Sequence, residues 1–231
     1  MSIEVKSHGR FHGIYWVILE GERYLATRNL TPGRAVYGER LVRFNGVEYR
    51  LWNPFRSKLA AAILNGLRKM PIDEKSNVLY LGAATGTTSS HISDIVGADG
   101  SVYCVEFAPR VFRELIANVC KYRRNMFPIF ADARKPELYR MLVGPVDVVY
   151  CDVAQPKQAS ILAENADMYL KDGGWTILAV KARSINVARS LEEVYRMERE
   201  VLRRRGLTIE EEVHLEPYDK AHKVIISSLR K

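Results

Sequence analysis

Cysteine is scarce: three residues in 231, Cys104, Cys120 and Cys151, with no CxxC pair among them. That pattern gives no disulfide framework and no metal ligand set, so no metal is expected. Cys104 and Cys151 fall within apolar strand patterns and are expected to be buried thiols in a reducing cytosol. No run of 18 apolar residues occurs, so no membrane-spanning helix is expected. The start, MSIEVKSHGRFHG, lacks the apolar stretch of an export signal, and the expected location is the cytoplasm. Internal repeats and low-complexity tails are also missing. So are the modules that read nucleic acid by themselves: RNP aromatics, a KH loop, a zinc knuckle.

What is present is a core and an excess of positive charge. Apolar residues make up 47% of the chain, enough for one large domain or for a small domain joined to a larger one. The net charge is +8. Residues 1–56 hold nine Lys or Arg against five Glu, a net of +4, so a quarter of the chain carries half the excess. Such a surface either keeps the protein soluble or meets a polyanion, most simply nucleic acid.

The pattern changes near residue 53. Before it, GIYWVILEGERYLATRNL and RLVRFNGVEYRLW read as β-hairpins, the second closed by Asn45-Gly46, a type I′ turn pair. Residues 1–53 are therefore expected to form a small β domain and residues 54–231 a larger one. Asn53-Pro54 reads as an N-cap followed by proline at the first helical position, opening the helix FRSKLAAAILNGL. From residue 76 strongly apolar strands alternate with helices: NVLYLG, SVYCVEF, MFPIFAD, VDVVYCD and WTILAVK, then LTIEEEV and KVIISSL. The helices between them include PRVFRELIANVCKYR, ASILAENADMYL and a long INVARSLEEVYRMEREVLRRRG. This alternation predicts an α/β fold with a mainly parallel sheet covered on both faces, and an antiparallel pairing of the last two strands.

In such a sheet a ligand sits at the carboxyl ends of the strands. VLYLGAATGTTSSHISDIVG reads as a strand from Val78 to Leu81, a turn from Gly82 to Gly86 and a helix from Thr87. That turn brings backbone N–H groups and a helix start toward a ligand, though its glycines stand four apart and do not make the dinucleotide G-x-G-x-x-G. By itself it is equally a plain βα connection. Glu106 ends the second strand 20 residues after Gly86, about where an acid accepts hydrogen bonds from a ribose diol. Asp132-Ala133, Asp152 and Lys181 end the next three. Asp132 or Asp152 singly could cap a helix, but Lys181 beside Asp152 on a neighbouring strand points to a charge pair in a cleft.

VLYLGAATGTTSSHISDIVG, VYCVEFAPR, DVVYCDVAQPKQ and NPFRSKLAAAIL resemble fibrillarin, the methyltransferase family of box C/D ribonucleoproteins. The likeness runs from about Tyr49 to the HKVII strand and more loosely through the N-terminal β region. Methyltransferases in general have an acid where Tyr80 stands and a glycine where Ala84 stands; fibrillarins share both departures.

The resemblance implies S-adenosylmethionine as cofactor, a Rossmann-like methyltransferase sheet and transfer of a methyl group to the ribose 2′-hydroxyl of rRNA, with tRNA a further substrate. Carried over by residue, it puts the turn Gly82, Ala83 and Gly86 with Thr87 and Thr88 against the cofactor. Glu106 would hold the ribose hydroxyls, with Phe107 beside the adenine. Asp132 and Ala133 would meet the adenine edge, and Asp152, Val153, Ala154 and Gln155 the methionine part. Lys58, Asp152 and Lys181 match the Lys–Asp–Lys set of ribose methyltransferases, and His222 in EPYDKAHKVII fits the histidine that fibrillarins add. Lys181, poised by Asp152, is expected to act on the 2′-hydroxyl, with Lys58 and His222 orienting the ribose.

The implied partners are a box C/D guide RNA, a Nop-family scaffold protein and a kink-turn-binding protein. The chain begins without the Gly/Arg-rich tail of eukaryotic fibrillarins, so an archaeal form is expected; Lys157 stands where eukaryotic relatives often have Asp. Two other classes remain open on the residues alone. One is an NAD-dependent oxidoreductase, disfavoured by the missing third glycine and by the Lys58/Asp152/Lys181 set. The other is an inactive methyltransferase-fold subunit that binds RNA, disfavoured by retention of all four candidate catalytic residues.

Overall fold

The computed structural model describes residues 2–186 and 188–229. Five strands come first: β1 (Ile3–Ser7), β2 (Ile14–Leu19), β3 (Glu22–Arg28), β4 (Leu41–Phe44) and β5 (Val47–Leu51). They form an antiparallel sheet in the order β1-β2-β3-β5-β4. The β4–β5 hairpin turns at Asn45 and Gly46, whose φ angles of 48° and 77° give the left-handed pair that a type I′ turn needs.

Helix α1 (Lys58–Leu64) follows, then β6 (Asn77–Leu81), α2 (Thr87–Val96), β7 (Ser101–Glu106), α3 (Pro109–Asn118), β8 (Met126–Phe130) and β9 (Val146–Cys151). The chain closes with α4 (Gln158–Tyr169), β10 (Leu170–Lys181), α5 (Ala182–Ile185), α6 (Leu191–Arg204), β11 (Leu207–His214) and β12 (His222–Leu229). These seven strands make a second sheet in the order β11-β12-β10-β9-β6-β7-β8. The central pairings β8–β7–β6–β9–β10 are all parallel, and β12 runs antiparallel to both β10 and β11.

Side chains alternate across this sheet as a period of two requires. Val78 and Tyr80 of β6, Val148 and Tyr150 of β9, and Ile177 and Ala179 of β10 face one buried cluster. Their neighbours Leu79, Leu81, Val149, Cys151, Leu178 and Val180 face another. The first cluster also takes in Ile14 and Leu25 from the N-terminal sheet, Trp52 just after β5, and Leu59 and Ile63 from α1. Each such large side chain removed from water contributes about 1.5–3 kcal/mol.

A buried polar cluster joins the two sheets as well. Arg50 on β5 holds Glu39 at 2.6 Å and Asp94 of α2 at 2.8 Å, and Arg123 meets the other oxygen of Asp94 at 2.6 Å. His91 stacks on Trp52 at 4.7 Å and contacts Thr27 Oγ1 at 2.7 Å.

Several helix boundaries differ from the sequence pattern; the helix read over PRVFRELIANVCKYR, for one, ends at Asn118. Asn53-Pro54 does not open α1: Ser57 is the N-cap, and the helix begins at Lys58. Asn53 Oδ1 instead accepts from Phe55 N at 2.9 Å, which folds residues 53–56 into a turn, while Ser57 Oγ is also tied to Thr88 Oγ1 at 2.9 Å. The long helix predicted from Ile185 is broken. A short α5 ends at Ile185, and α6 restarts after Ser190, whose side chain and that of Glu193 make a reciprocal capping box. Val187, within the predicted helix, lies outside the described residues.

Candidate active site

At the carboxyl end of β6 the chain must turn where β9 passes close by. A Cβ on Gly82 would sit 2.9 Å from the Asp152 carbonyl oxygen, and its φ of +79° is a conformation glycine alone adopts freely. Gly86 precedes α2 with φ +94°, and a Cβ there would meet Val119 and Leu115 at 2.8 and 2.9 Å. Between them Ala84 is also left-handed, with φ 50°. Its N–H donates to Glu106 Oε2 at 3.0 Å, which compensates for that conformation. The other Glu106 oxygen accepts from Ala108 N at 2.9 Å, so this buried carboxylate is fixed at the end of β7 with acceptor capacity left over.

The strand ends surround a cavity of about 270 Å³. Of the residues predicted to hold a cofactor, Gly82, Glu106, Phe107, Asp132, Ala133, Asp152, Val153, Ala154 and Gln155 line it. Ala83, Gly86, Thr87 and Thr88 are not among its lining; Thr88 is buried and bonded to Ser57. Phe107 presents an exposed ring, 58% accessible. Asp132 lies two residues past the end of β8, and Arg134 binds both its oxygens. That arginine holds the Asp132 carboxyl below its ordinary range. Ala84, Val105, Ala131, Arg134 and Ile161 also line the cavity, and the sequence did not single them out for it.

Beside this cavity stands an alternating row of charges. Lys181 Nζ lies 3.0 Å from Asp152 Oδ1 and donates to the Asp152 carbonyl at 2.9 Å. Lys58 Nζ lies 3.3 Å from the same Oδ1. The fold explains the meeting: β9 and β10 are parallel neighbours, and Lys58 is the first residue of α1. His222 is the cross-strand partner of Lys181 in the β10–β12 pairing. It does not contact Asp152; its Nδ1 lies 2.8 Å from Asp219 Oδ1, and Asp219 Oδ2 lies 3.8 Å from Lys58 Nζ. The four predicted residues thus fall into one cluster, and Asp219 is its missing link.

A second residue was also absent from the predicted set. Gln158, fully buried at the start of α4, donates to Val153 O at 2.8 Å and accepts from Lys181 N at 3.0 Å. It ties the loop after Asp152 to the end of β10. Beneath the site, Tyr80 stacks on Tyr150 at 4.5 Å, both buried, and burial raises both hydroxyls well above the usual range.

Among the described residues, no group of three or more His, Cys, Asp or Glu is placed to hold a metal ion. No described helix is long and apolar enough to cross a membrane.

A mostly parallel seven-stranded sheet with one reversed strand, and a carboxylate-lined cavity at its strand ends, defines the class: the fold is that of S-adenosylmethionine-dependent methyltransferases. Residues 5–231 match fibrillarin, and the chain belongs to that family. It is 57% identical over 230 residues to a fibrillarin-like rRNA/tRNA 2′-O-methyltransferase of Pyrobaculum aerophilum, covering 99% of this chain and 98% of that one. The crystal structure of Aeropyrum pernix fibrillarin with natively bound S-adenosyl-L-methionine is 52% identical, with a TM-score of 0.92 over 98% of this chain and 99% of that one. The fibrillarin of a fibrillarin/Nop5p complex is 37% identical, with a TM-score of 0.84 over 96% and 99%.

Proposed function

We propose that this chain transfers the methyl group of S-adenosylmethionine to ribose 2′-hydroxyls of rRNA and tRNA, as the catalytic subunit of an archaeal box C/D ribonucleoprotein in the cytoplasm. The observation that carries the reading is the Lys181–Asp152–Lys58 cluster beside a cavity lined by the carboxylates of Glu106, Asp132 and Asp152. Membership of the fibrillarin family and the Aeropyrum pernix complex support it.

The lining fits the cofactor chemically. Glu106 has acceptor capacity for a diol, Phe107 offers a ring face for adenine, and three carboxylates suit a ligand with cationic sulfonium and amino groups. In this reading Asp132 and Ala133 take the adenine edge, residues 152–155 the methionine part, and the turn at Gly82 and Ala84 lies against the cofactor. S-adenosylmethionine supplies an already activated methyl group. The chain's own work is then to place a 2′-oxygen in line and to manage its proton. Asp152 holds the Lys58 and Lys181 side chains at the mouth, where they would hydrogen-bond the ribose. The hydroxyl proton passes to the Lys181–Asp152 pair as attack proceeds. Lys58 and His222 orient the ribose and stabilise developing charge, and positioning supplies several kcal/mol, an order-of-magnitude figure.

Among the described residues no recognisable base-reading module stands beside the site, and in this reading partners supply the specificity. The Nop5p complex of a related chain supports a Nop-family scaffold, and with a kink-turn-binding protein that scaffold would hold the guide RNA. The isolated chain should bind RNA weakly and in a salt-sensitive manner. Residues 1–53 form the small β domain of this reading and residues 54–231 the methyltransferase domain.

Methyl transfer from labelled cofactor to guide-matched RNA tests the function. The label should appear on one ribose 2′-oxygen that moves with the guide sequence. Label on a base or on protein, or a defined site methylated by the chain alone in unguided RNA, would overturn it.

A further inference from the structure

The charged row is balanced in itself: Lys58 and Lys181 stand against Asp152 and Asp219. Attraction for a polyanion must therefore come from around it. Three cations stand there, Arg56, Lys157 and Lys220, all exposed. Among the described residues, none of the three makes an ion pair.

Each is tied through the backbone to a member of the row. Arg56 lies two residues before Lys58, and its N–H closes the 53–56 turn on Asn53 O at 3.1 Å. Its guanidinium lies 5.8 Å from the centre of the Tyr37 ring, an arrangement that leaves its N–H groups open to a ligand. Lys220 follows Asp219, and its carbonyl lies 2.7 Å from His222 Nδ1. Lys157 precedes Gln158, the residue that holds Val153 O and Lys181 N. The Lys157 carbonyl accepts from Ile161 N at 3.0 Å, which anchors it to the first turn of α4.

The sheet separates these cations. Helix α1 packs in the first apolar cluster, and so do Leu215 and Tyr218 of the segment that carries Lys220. Helix α4 packs in the second, through Ala159, Ile161 and Leu162. Arg56 and Lys220 thus stand on one face of the sheet and Lys157 on the other, with the ends of β9 and β10 between them. On the first face the exposed Glu216 offsets part of the charge. On α4 the first acid, Glu164, comes two turns after Lys157.

That division matches paired RNA. In the function proposed above, the target nucleotide is paired with a guide. The 2′-hydroxyls of such an A-form helix are displayed in its wide, shallow minor groove. To bring one of them to Lys181 and Asp152, the strand ends must face that groove. Its two edges are phosphate backbones, one from each strand.

Resting on that function, we infer that the rim of the site is a two-sided clamp for duplex RNA. Arg56 and Lys220 take phosphates of one strand, and Lys157 takes a phosphate of the other. Contacts of this kind are indifferent to sequence, which suits an enzyme whose target is chosen by a guide. They also need both strands, so the clamp favours a ribose that has a guide opposite it over one in a single strand.

Two measurements test the clamp. The first is binding of the whole chain, without cofactor, to a short RNA duplex and to one of its strands alone, followed by fluorescence anisotropy as salt is raised. On the duplex, Arg56→Ala and Lys157→Ala should each lower the slope of log K against log salt by about one, and the double variant by about two. On the single strand, which lies along one edge only, the double variant should lower it by about one or less. Arg56→Lys and Lys157→Arg keep the charge and should keep the wild-type slope. The second measurement uses the reconstituted particle, with uncharged methylphosphonate linkages placed one at a time in the target and guide strands near the reacting ribose. Methyl transfer by Arg56→Ala should become insensitive to a linkage in one strand, and by Lys157→Ala to a linkage in the other. Slopes that fall equally on duplex and single strand, or variants that both lose sensitivity in the same strand, would overturn the proposal. A chain that binds the duplex in this manner yet transfers no methyl group in the particle would leave the clamp standing and remove the activity.

Discussion

Asp219 binds His222 Nδ1 with one carboxylate oxygen, at 2.8 Å, and faces Lys58 Nζ with the other, at 3.8 Å. The carbonyl of Lys220 also lies 2.7 Å from the same Nδ1 and can only accept. Nδ1 must therefore carry a proton, and Nε2 is the nitrogen left to meet a ligand. In the function proposed above Asp219 is a positioning residue, setting that tautomer and holding Lys58 together with Asp152. Asp219→Asn should lower kcat on the order of tenfold with little change in cofactor affinity, and Asp219→Glu should recover most of the loss. A parallel loss of cofactor binding, or no recovery by Glu, would show only a fold-maintaining role.

Lys181→Ala removes the group expected to act on the hydroxyl. Asp152 would keep Lys58 as a partner, so the loop and the cavity should survive. Methyl transfer should fall by about 10²–10⁴-fold while cofactor affinity, measured by calorimetry, stays near wild type. Activity equal to wild type would refute the assigned role.

Glu106 already accepts two backbone N–H groups, from Ala84 and Ala108. Glu106→Gln keeps an acceptor but forces an amide NH₂ toward one of those donors. Cofactor affinity should drop by about 1.5–3 kcal/mol, the range for a hydrogen bond to a charged group. Lys181→Ala and Glu106→Gln therefore separate catalysis from binding; if both alter the same parameter, the division of roles fails.

The fold was legible where local chemistry is decisive. Asn45-Gly46 has one good use between two alternating strands, and the apolar run ending at Gly82 can only be a buried strand before a tight turn. The two helix starts were harder because the chain offers rival caps. Asn53 and Ser57 both suit an N-cap; Ser57 prevails where its hydroxyl also reaches Thr88, a contact made in space. The break before Leu191 could have been read, since Ser190 and Glu193 spell a capping box inside the supposed helix. Within the site, the Asp152–Lys181 pair was readable from the strand ends, whereas Lys58 and His222 were available only through family likeness. Asp219 and Gln158 were not, since each is defined by partners far away in sequence.

Arg50 is wholly buried and serves two carboxylates, Glu39 and Asp94. Asp94 retains Arg123 if Arg50 is lost, whereas Glu39 is left with backbone donors alone. Arg50→Met should cost about 3–5 kcal/mol in denaturant unfolding, the usual penalty for stranding a buried charge. Adding Glu39→Met removes the stranded carboxylate, so the double variant should be more stable than Arg50→Met. A double variant that is less stable would mean that shape, and not charge compensation, governs this site.

Glu198 on α6 is 5% exposed, and its carboxylate accepts from Ala159 N at 2.7 Å, in the first turn of α4. Burial pushes the carboxyl up to about 7, only partly opposed by that N–H bond. The native state therefore holds a proton between the ordinary carboxyl range and neutrality that the unfolded chain has released. Stability falls as pH rises through that window, from about 4.5 to 7, and stays reduced above it. Glu198→Gln keeps an oxygen acceptor for Ala159 and cannot ionise. Its stability should match wild type near pH 4.5 and exceed it by up to about 3 kcal/mol above pH 7.5. The gain should reach the active site as well, because Gln158, which precedes Ala159, holds Lys181 N and Val153 O. Hydrogen exchange at Lys181 should then slow with rising pH in the variant relative to wild type. A stability difference that is flat from pH 4.5 to 8 would mean that Glu198 ionises at its ordinary pH and that α4 feels no strain from it.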